Sequence, residues 1–188
     1  GHPIVIDPVG VSGSSYRREK CLELMKIIHP TCIRGNYSEI QALLHNCGTV
    51  TGVDAAEDAL AEAEETDLPE LMKQYAKENQ MILVASGEID LITDGSCVYR
   101  CHNGSPMMAR ITGSGCMSTV MLGAFLSAEN SVESAVACCA FTGIAGELAA
   151  KEMTAQKRGT MTFRNWFIDA VSLMTPEQLE HGTDVDWF

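Results

Sequence analysis

Residues 110–128 read R-I-T-G-S-G-C-M-S-T-V-M-L-G-A-F-L-S-A. Thr112, Gly113, Ser114, Gly115 and Cys116 stand directly before Met117–Ala128, an apolar run predicted as a helix. A helix start leaves backbone N–H groups without partners and carries a partial positive charge. Glycines let that backbone come close to a ligand. The combination suits a phosphoryl group or a developing oxyanion. A plain turn capped by Ser114 or Thr112 explains the same five residues, and taken alone it is the simpler reading.

The segments on either side decide what kind of fold carries this loop. Upstream, Pro3–Asp7 (PIVID), Thr31–Arg34 (TCIR) and Gln80–Ala85 (QMILVA) are short apolar, β-branched runs, as buried strands are. Between them lie helical patterns. Ser14–Ile28 has Ser14 or Ser15 as its cap, and Asn36 opens a helix to about His45 with Glu39 at the capping-box position. Asp54–Glu65 and Pro69–Asn79 read as two further amphipathic helices. Asp94-Gly95-Ser96, flanked by Ile89–Thr93 and Cys97–His102, is a hairpin signal. Downstream, Val132–Lys151 and Phe163–Met174 read as helices, and the acidic tail from Pro176 to Phe188 as loose. Strands alternating with helices predict an α/β layered sheet with helices on both faces. Ligands of such sheets sit at the carboxyl ends of the strands. That rule gathers Asp7, Arg34, Ser86 and the Thr112–Cys116 loop at one edge.

Composition narrows the partners. The chain has 188 residues, 46% hydrophobic and 20% charged, which suits one globular domain with a real core. A net charge of −12 argues against nucleic-acid and anionic-membrane partners, because phosphates attract Lys and Arg. No apolar run reaches the roughly 20 residues that span a bilayer, and no signal peptide is visible. Several of the eight cysteines fall inside apolar segments and read as reduced thiols of a cytoplasmic protein.

Several residues carry two readings. A helix N-terminus favours a thiolate, so Cys116 could accept a proton from a substrate hydroxyl; it could equally be a small apolar filler. Asp7 ends its strand where metals gather, or only shapes the Pro8-Val9-Gly10 turn. Asn36 and Glu39 cap a helix, while Asp7 and Glu39 together also suit Mg²⁺ through oxygen and water. Arg34 is always charged and suits phosphate oxygens. Ser86-Gly87-Glu88 meets a phosphate or is a β-turn. Cys97, Cys101 and His102 are no zinc site, since Cys101 and His102 would face opposite sides of a strand.

The ordered blocks DPVGVSGSSYR, IRGNYSEI, VASGEIDLITDG, HNGSPMMARITGSGCMSTVMLGAFL and AGELAA resemble the hydroxyethylthiazole kinase family of the ribokinase-like superfamily, from residue 1 to about Asp169. The resemblance implies a ribokinase-like fold with a mostly parallel central sheet over residues 1–175, followed by the 176–188 tail. It also implies ATP- and Mg²⁺-dependent phosphorylation of the primary alcohol of 4-methyl-5-(2-hydroxyethyl)thiazole in thiamin salvage. Arg34 and Ser86 match ATP-binding positions, the latter usually threonine in the family, and Gly115 belongs to the phosphate loop. Gly113 matches a thiazole-binding position. Cys116 matches the base that most ribokinase-like enzymes supply as aspartate, and Asp7 and Glu39 match acidic residues near the metal. The family is typically a trimer with its active site between subunits. Members carry further elements before the D-P-V-G block, so part of the thiazole pocket is expected to be missing here. The rivals are an NAD(P)H-hydrate dehydratase, expected to carry aspartate at position 116, a hydroxymethylpyrimidine kinase, and a non-catalytic fragment.

Overall fold

The computed structural model describes residues 1–47 and 68–188; the helix expected at Asp54–Glu65 lies outside the described residues. Among the described residues six strands form one sheet in the sequential order β1 to β6. They are β1 (Val5–Ile6), β2 (Cys32–Asn36), β3 (Ile82–Ser86), β4 (Asp90–Thr93), β5 (Val98–Cys101) and β6 (Val185–Trp187). β1, β2 and β3 pair in parallel, and β4, β5 and β6 each pair antiparallel to the strand before. Four of the six strands therefore point the same way.

Helices cover both faces because the strands alternate. Ile33, Leu83, Ala85, Leu91 and Val98 face α1 (Ser15–Ile28), α2 (Tyr37–Cys47) and α3 (Leu68–Asn79). Cys32, Ile82, Val84, Ile92 and Cys101 face α4 (Ser114–Ala128) and α5 (Val132–Ala155). α6 (Thr160–Leu173) packs outside α5, with Phe163 and Phe167 fully buried against Ala145 and Ala149. By length and composition the 24-residue α5 is a helix that could cross a bilayer, contrary to the expectation that no run is long enough. Its residues from Ala135 to Ala149 are instead largely buried between the sheet, α4 and α6, as a core helix is.

Local signals place the connections. Ser14 caps α1 by accepting the Arg17 N–H. Thr93 Oγ1 accepts the Gly95 N–H and donates to Cys97 O, closing the predicted hairpin. The expectation of a loose tail is corrected. Thr175 and Gln178 form a capping box that starts α7 (Pro176–Gly182), and β6 then completes the sheet edge. Buried Asn103 ties this tail down, accepting the Asp184 N–H at 2.8 Å and donating to Gly182 O at 2.8 Å and to Glu147 Oε1 at 3.1 Å. Asp186 accepts from Arg100 Nε and contacts His102 Nε2 at 3.0 Å. His102 thus faces the edge strand while Cys101 points into the core, as expected from their adjacent positions.

Candidate active site

α4 begins earlier than its hydropathy suggests, at Ser114, so Cys116 lies inside its first turn and is exposed. Gly113 is the N-cap at φ +95°, a left-handed conformation that favours glycine. No side chain caps the helix. Ser114 Oγ turns away and donates to Met108 O at 2.8 Å. The first intrahelical bond runs from Met117 N–H to Gly113 O, which leaves the amides of Ser114, Gly115 and Cys116 ahead of it. The plain-turn reading expects Ser114 or Thr112 to cap this start; neither does, which leaves three backbone amides as a cradle.

Arg34 lies against this cradle. It is the third residue of β2, not its last, and shares the sheet face of Cys32, toward α4 and α5. A Cβ placed on Gly115 would stand 3.3 Å from Arg34 Nη1, so a side chain there would crowd the guanidinium. Arg34 Nη1 is also 4.0 Å from Asp7 Oδ2, with both side chains largely buried. Thr119, one turn into α4, donates to the same Oδ2 at 2.7 Å. The sheet and the helix thus bring Asp7, Arg34, Gly113, Gly115 and Cys116 to one place.

Glu39 and Ser86 stand at the neighbouring strand ends. Asn36 and Glu39 form the reciprocal cap foreseen from their spacing: Asn36 Oδ1 accepts the Glu39 N–H, and Glu39 Oε2 accepts the Asn36 N–H, each at 2.9 Å. Glu39 Oε1 also accepts the Gly10 N–H at 2.8 Å, tying the turn after β1 to α2. Both oxygens of this buried carboxylate thus already hold backbone donors. Ser86 ends β3 opposite Asn36 and donates to Gly35 O at 3.2 Å. Asn36, Tyr37, Ser38 and Ser86–Ile89 line an open cleft of about 560 Å³. A cleft of about 630 Å³, lined in part by Thr31, Lys77, Asn130 and Ser131, lies at the opposite end of the strands, away from Arg34.

The hydroxyethylthiazole kinase family profile matches residues 1–177 of the chain. The chain belongs to the hydroxyethylthiazole kinase family. It is 39% identical over 177 residues to "Hydroxyethylthiazole kinase 1" of Methanosphaera stadtmanae, covering 90% of this chain and 62% of that protein. It is 35% identical over 182 residues to the hydroxyethylthiazole kinase of Clostridium acetobutylicum, covering 95% of this chain and 66% of that one. The solved hydroxyethylthiazole kinase structure of Pyrococcus horikoshii superposes with a TM-score of 0.80 at 26% identity, over 99% of this chain and 65% of that one. The chain therefore spans about two-thirds of the length of these hydroxyethylthiazole kinases.

Two residues in this candidate site escape sequence reading. Thr119 looks like any polar helix residue. Asp90 looks like a strand-edge aspartate, although its period-two spacing from Ile92 puts it on the buried α5 face. Its Oδ1 accepts the Gly87 N–H at 3.0 Å, holding the turn beside Ser86. The carboxyl lies deeper than the residue as a whole, and burial pushes it up to about 6, with the Gly87 N–H and the Arg34 charge pulling the other way. A raised carboxyl binds its proton more tightly in the folded chain. Stability from this group is therefore greatest below pH 4, falls as pH rises through about 6, and is level above. Asp90→Asn keeps an acceptor for Gly87 and removes the desolvated charge. Melting curves should show the variant gaining about 2 kcal/mol over the parent between pH 4 and pH 8. Parallel pH profiles would show that the charge is not desolvated.

Proposed function

We propose that the chain carries the ATP- and Mg²⁺-dependent phosphorylation of the primary alcohol of 4-methyl-5-(2-hydroxyethyl)thiazole, a thiamin-salvage reaction. The observation that carries this reading is the guanidinium of Arg34 set against the uncapped start of α4 at Gly115. Phosphoryl transfer has a loose transition state, so positioning and charge stabilisation matter more than proton abstraction. The amides of Ser114–Cys116 donate to the moving phosphoryl oxygens, and Arg34 holds the nucleotide's phosphates. Gly113, with no side chain, leaves room for the thiazole. Ser86, at the rim of the neighbouring cleft, binds the nucleotide. Cys116 Sγ takes the alcohol proton late in the step.

A kinase Mg²⁺ is usually held by one or two carboxylates, waters and the substrate phosphates. Among the described residues no three acidic, His or Cys side chains cluster. Asp7 would be the direct carboxylate and Glu39, its oxygens already engaged, would act through a water. Bound there, the ion neutralises charge on the triphosphate. Assembly as a homotrimer with the site at the subunit interface, and a cytoplasmic setting, belong to the same reading; sedimentation of the purified protein tests the former.

The experiment is an assay of ATP with the thiazole alcohol, product identified by mass. Formation of the phosphate ester supports the reading, and ATP hydrolysis or no reaction overturns it. Arg34→Ala should raise the Kd for ATP about 10–100-fold, the loss of a charge-assisted contact of about 1.5–3 kcal/mol. Nucleotide titration by calorimetry measures it, and an unchanged Kd would remove Arg34 from the site.

A further inference from the structure

We propose that Thr119 is a positioning residue of this site: its hydroxyl fixes the rotation of the Asp7 carboxylate so that Oδ1 is presented to a divalent cation travelling with nucleotide phosphate. The inference rests on the function proposed above and adds a residue to it. Thr119 is on the helix whose first turn forms the amide cradle, three residues after Cys116. Threonine inside a helix ordinarily donates to the carbonyl four residues back. Here Oγ1 stands 3.1 Å from Gly115 O but 2.7 Å from Asp7 Oδ2, across 112 residues of sequence. One proton faces two acceptors, and the shorter contact is to the carboxylate.

The second contact to Asp7 falls on the same oxygen, from Arg34 Nη1 at 4.0 Å. Oδ1 has no partner among the described residues. The hydrogen bond from α4 and the more distant guanidinium of β2 thus fall on one oxygen, and turning Oδ2 away from α4 breaks the Thr119 bond. The hydroxyl also ties the end of β1 to α4, so the distance between the acid and the amide cradle depends on it. Groups that orient a metal-binding carboxylate from behind commonly matter about 10–100-fold in metal affinity.

The test uses the full chain with Thr119→Val, which keeps the shape and loses the hydroxyl, and Thr119→Ser, which keeps the hydroxyl. A fluorescent ATP analogue is titrated at rising Mg²⁺, and melting is followed in parallel. Thr119→Val should need about 10–100-fold more Mg²⁺ for half-maximal binding, and Thr119→Ser should stay near the parent. In an Asp7→Asn background, Thr119→Val should add no further loss. A parental Mg²⁺ requirement in Thr119→Val, a serine variant that fails to restore it, or an equal added loss without Asp7 would each overturn the inference alone. No Mg²⁺-dependent analogue binding by the parent would overturn the proposed function and this inference with it.

Discussion

Replacing Cys116 with alanine should lower turnover of the thiazole alcohol by about 10²-fold while leaving ATP binding nearly unchanged, since a general base typically contributes about 10²–10⁴-fold. The split follows from which atoms do what. The cradle is made of backbone amides, and alanine keeps them in the same helical turn. Only the thiol is lost. That thiol is also unlike the others nearby. Burial pushes Cys138 up to about 11, Cys101 up to about 12, and Cys32 and Cys139 up strongly, which keeps them protonated and inert. Cys116 is the exposed one among the described cysteines, in the first turn of α4. Steady-state kinetics beside calorimetric ATP binding measure both halves of the expectation. An alanine variant with parental kcat would leave the cradle intact as a phosphate site but remove the base.

Gly143→Ala should be the most damaging conservative change in the core, costing about 2 kcal/mol or more and lowering Tm by roughly 4–8 °C. A Cβ on Gly143 would fall 2.5 Å from the carbonyl carbon, the carbonyl oxygen and the Cβ of Asn103. Backbone cannot step aside as a flexible side chain can. Helix propensity favours alanine by about 1 kcal/mol, so the clash must outweigh that gain. Asn103 is also the clamp on Gly182 and Asp184, and moving it should free the strand β6. Hydrogen exchange of residues 183–188 should therefore quicken in the variant. Gly146→Ala is the internal control. Its added Cβ meets the Met108 side chain, Sδ at 2.5 Å, which can rotate away, so its Tm should stay close to the parent's. Equal melting of the two variants would mean that α5 does not sit tightly against Asn103.

The places where sequence reading and structure part have a common physical basis. The cap at Asn36 and Glu39 was legible because its partners are three residues apart and their roles follow from local geometry. The hairpin at Asp94–Ser96 was legible for the same reason. β6 was not. It is three residues long, lies in an acidic tail, and pairs with a strand some 84–88 residues earlier in the chain. The start of α4 was placed late because its first residues, Ser114 and Gly115, are weak helix formers whose helical state depends on packing beyond them.

By itself, the chain's order of short apolar strands and capped helices determined the α/β layering, and the glycine-flanked Cys116 determined where chemistry was to be sought. These are properties of neighbouring residues, which local propensity and spacing encode. Tertiary structure alone decided that Arg34 reaches Gly115, that Thr119 rather than a neighbour holds Asp7, and that the Asp90 carboxyl is desolvated beside the Ser86 turn. Each of the first two joins groups some 80 or more residues apart, and Asp90's depth depends on how α5 packs on the sheet. Such contacts arise only when parallel strands and the α4 and α5 layer have packed, because distance in space is set by the core and not by distance along the chain.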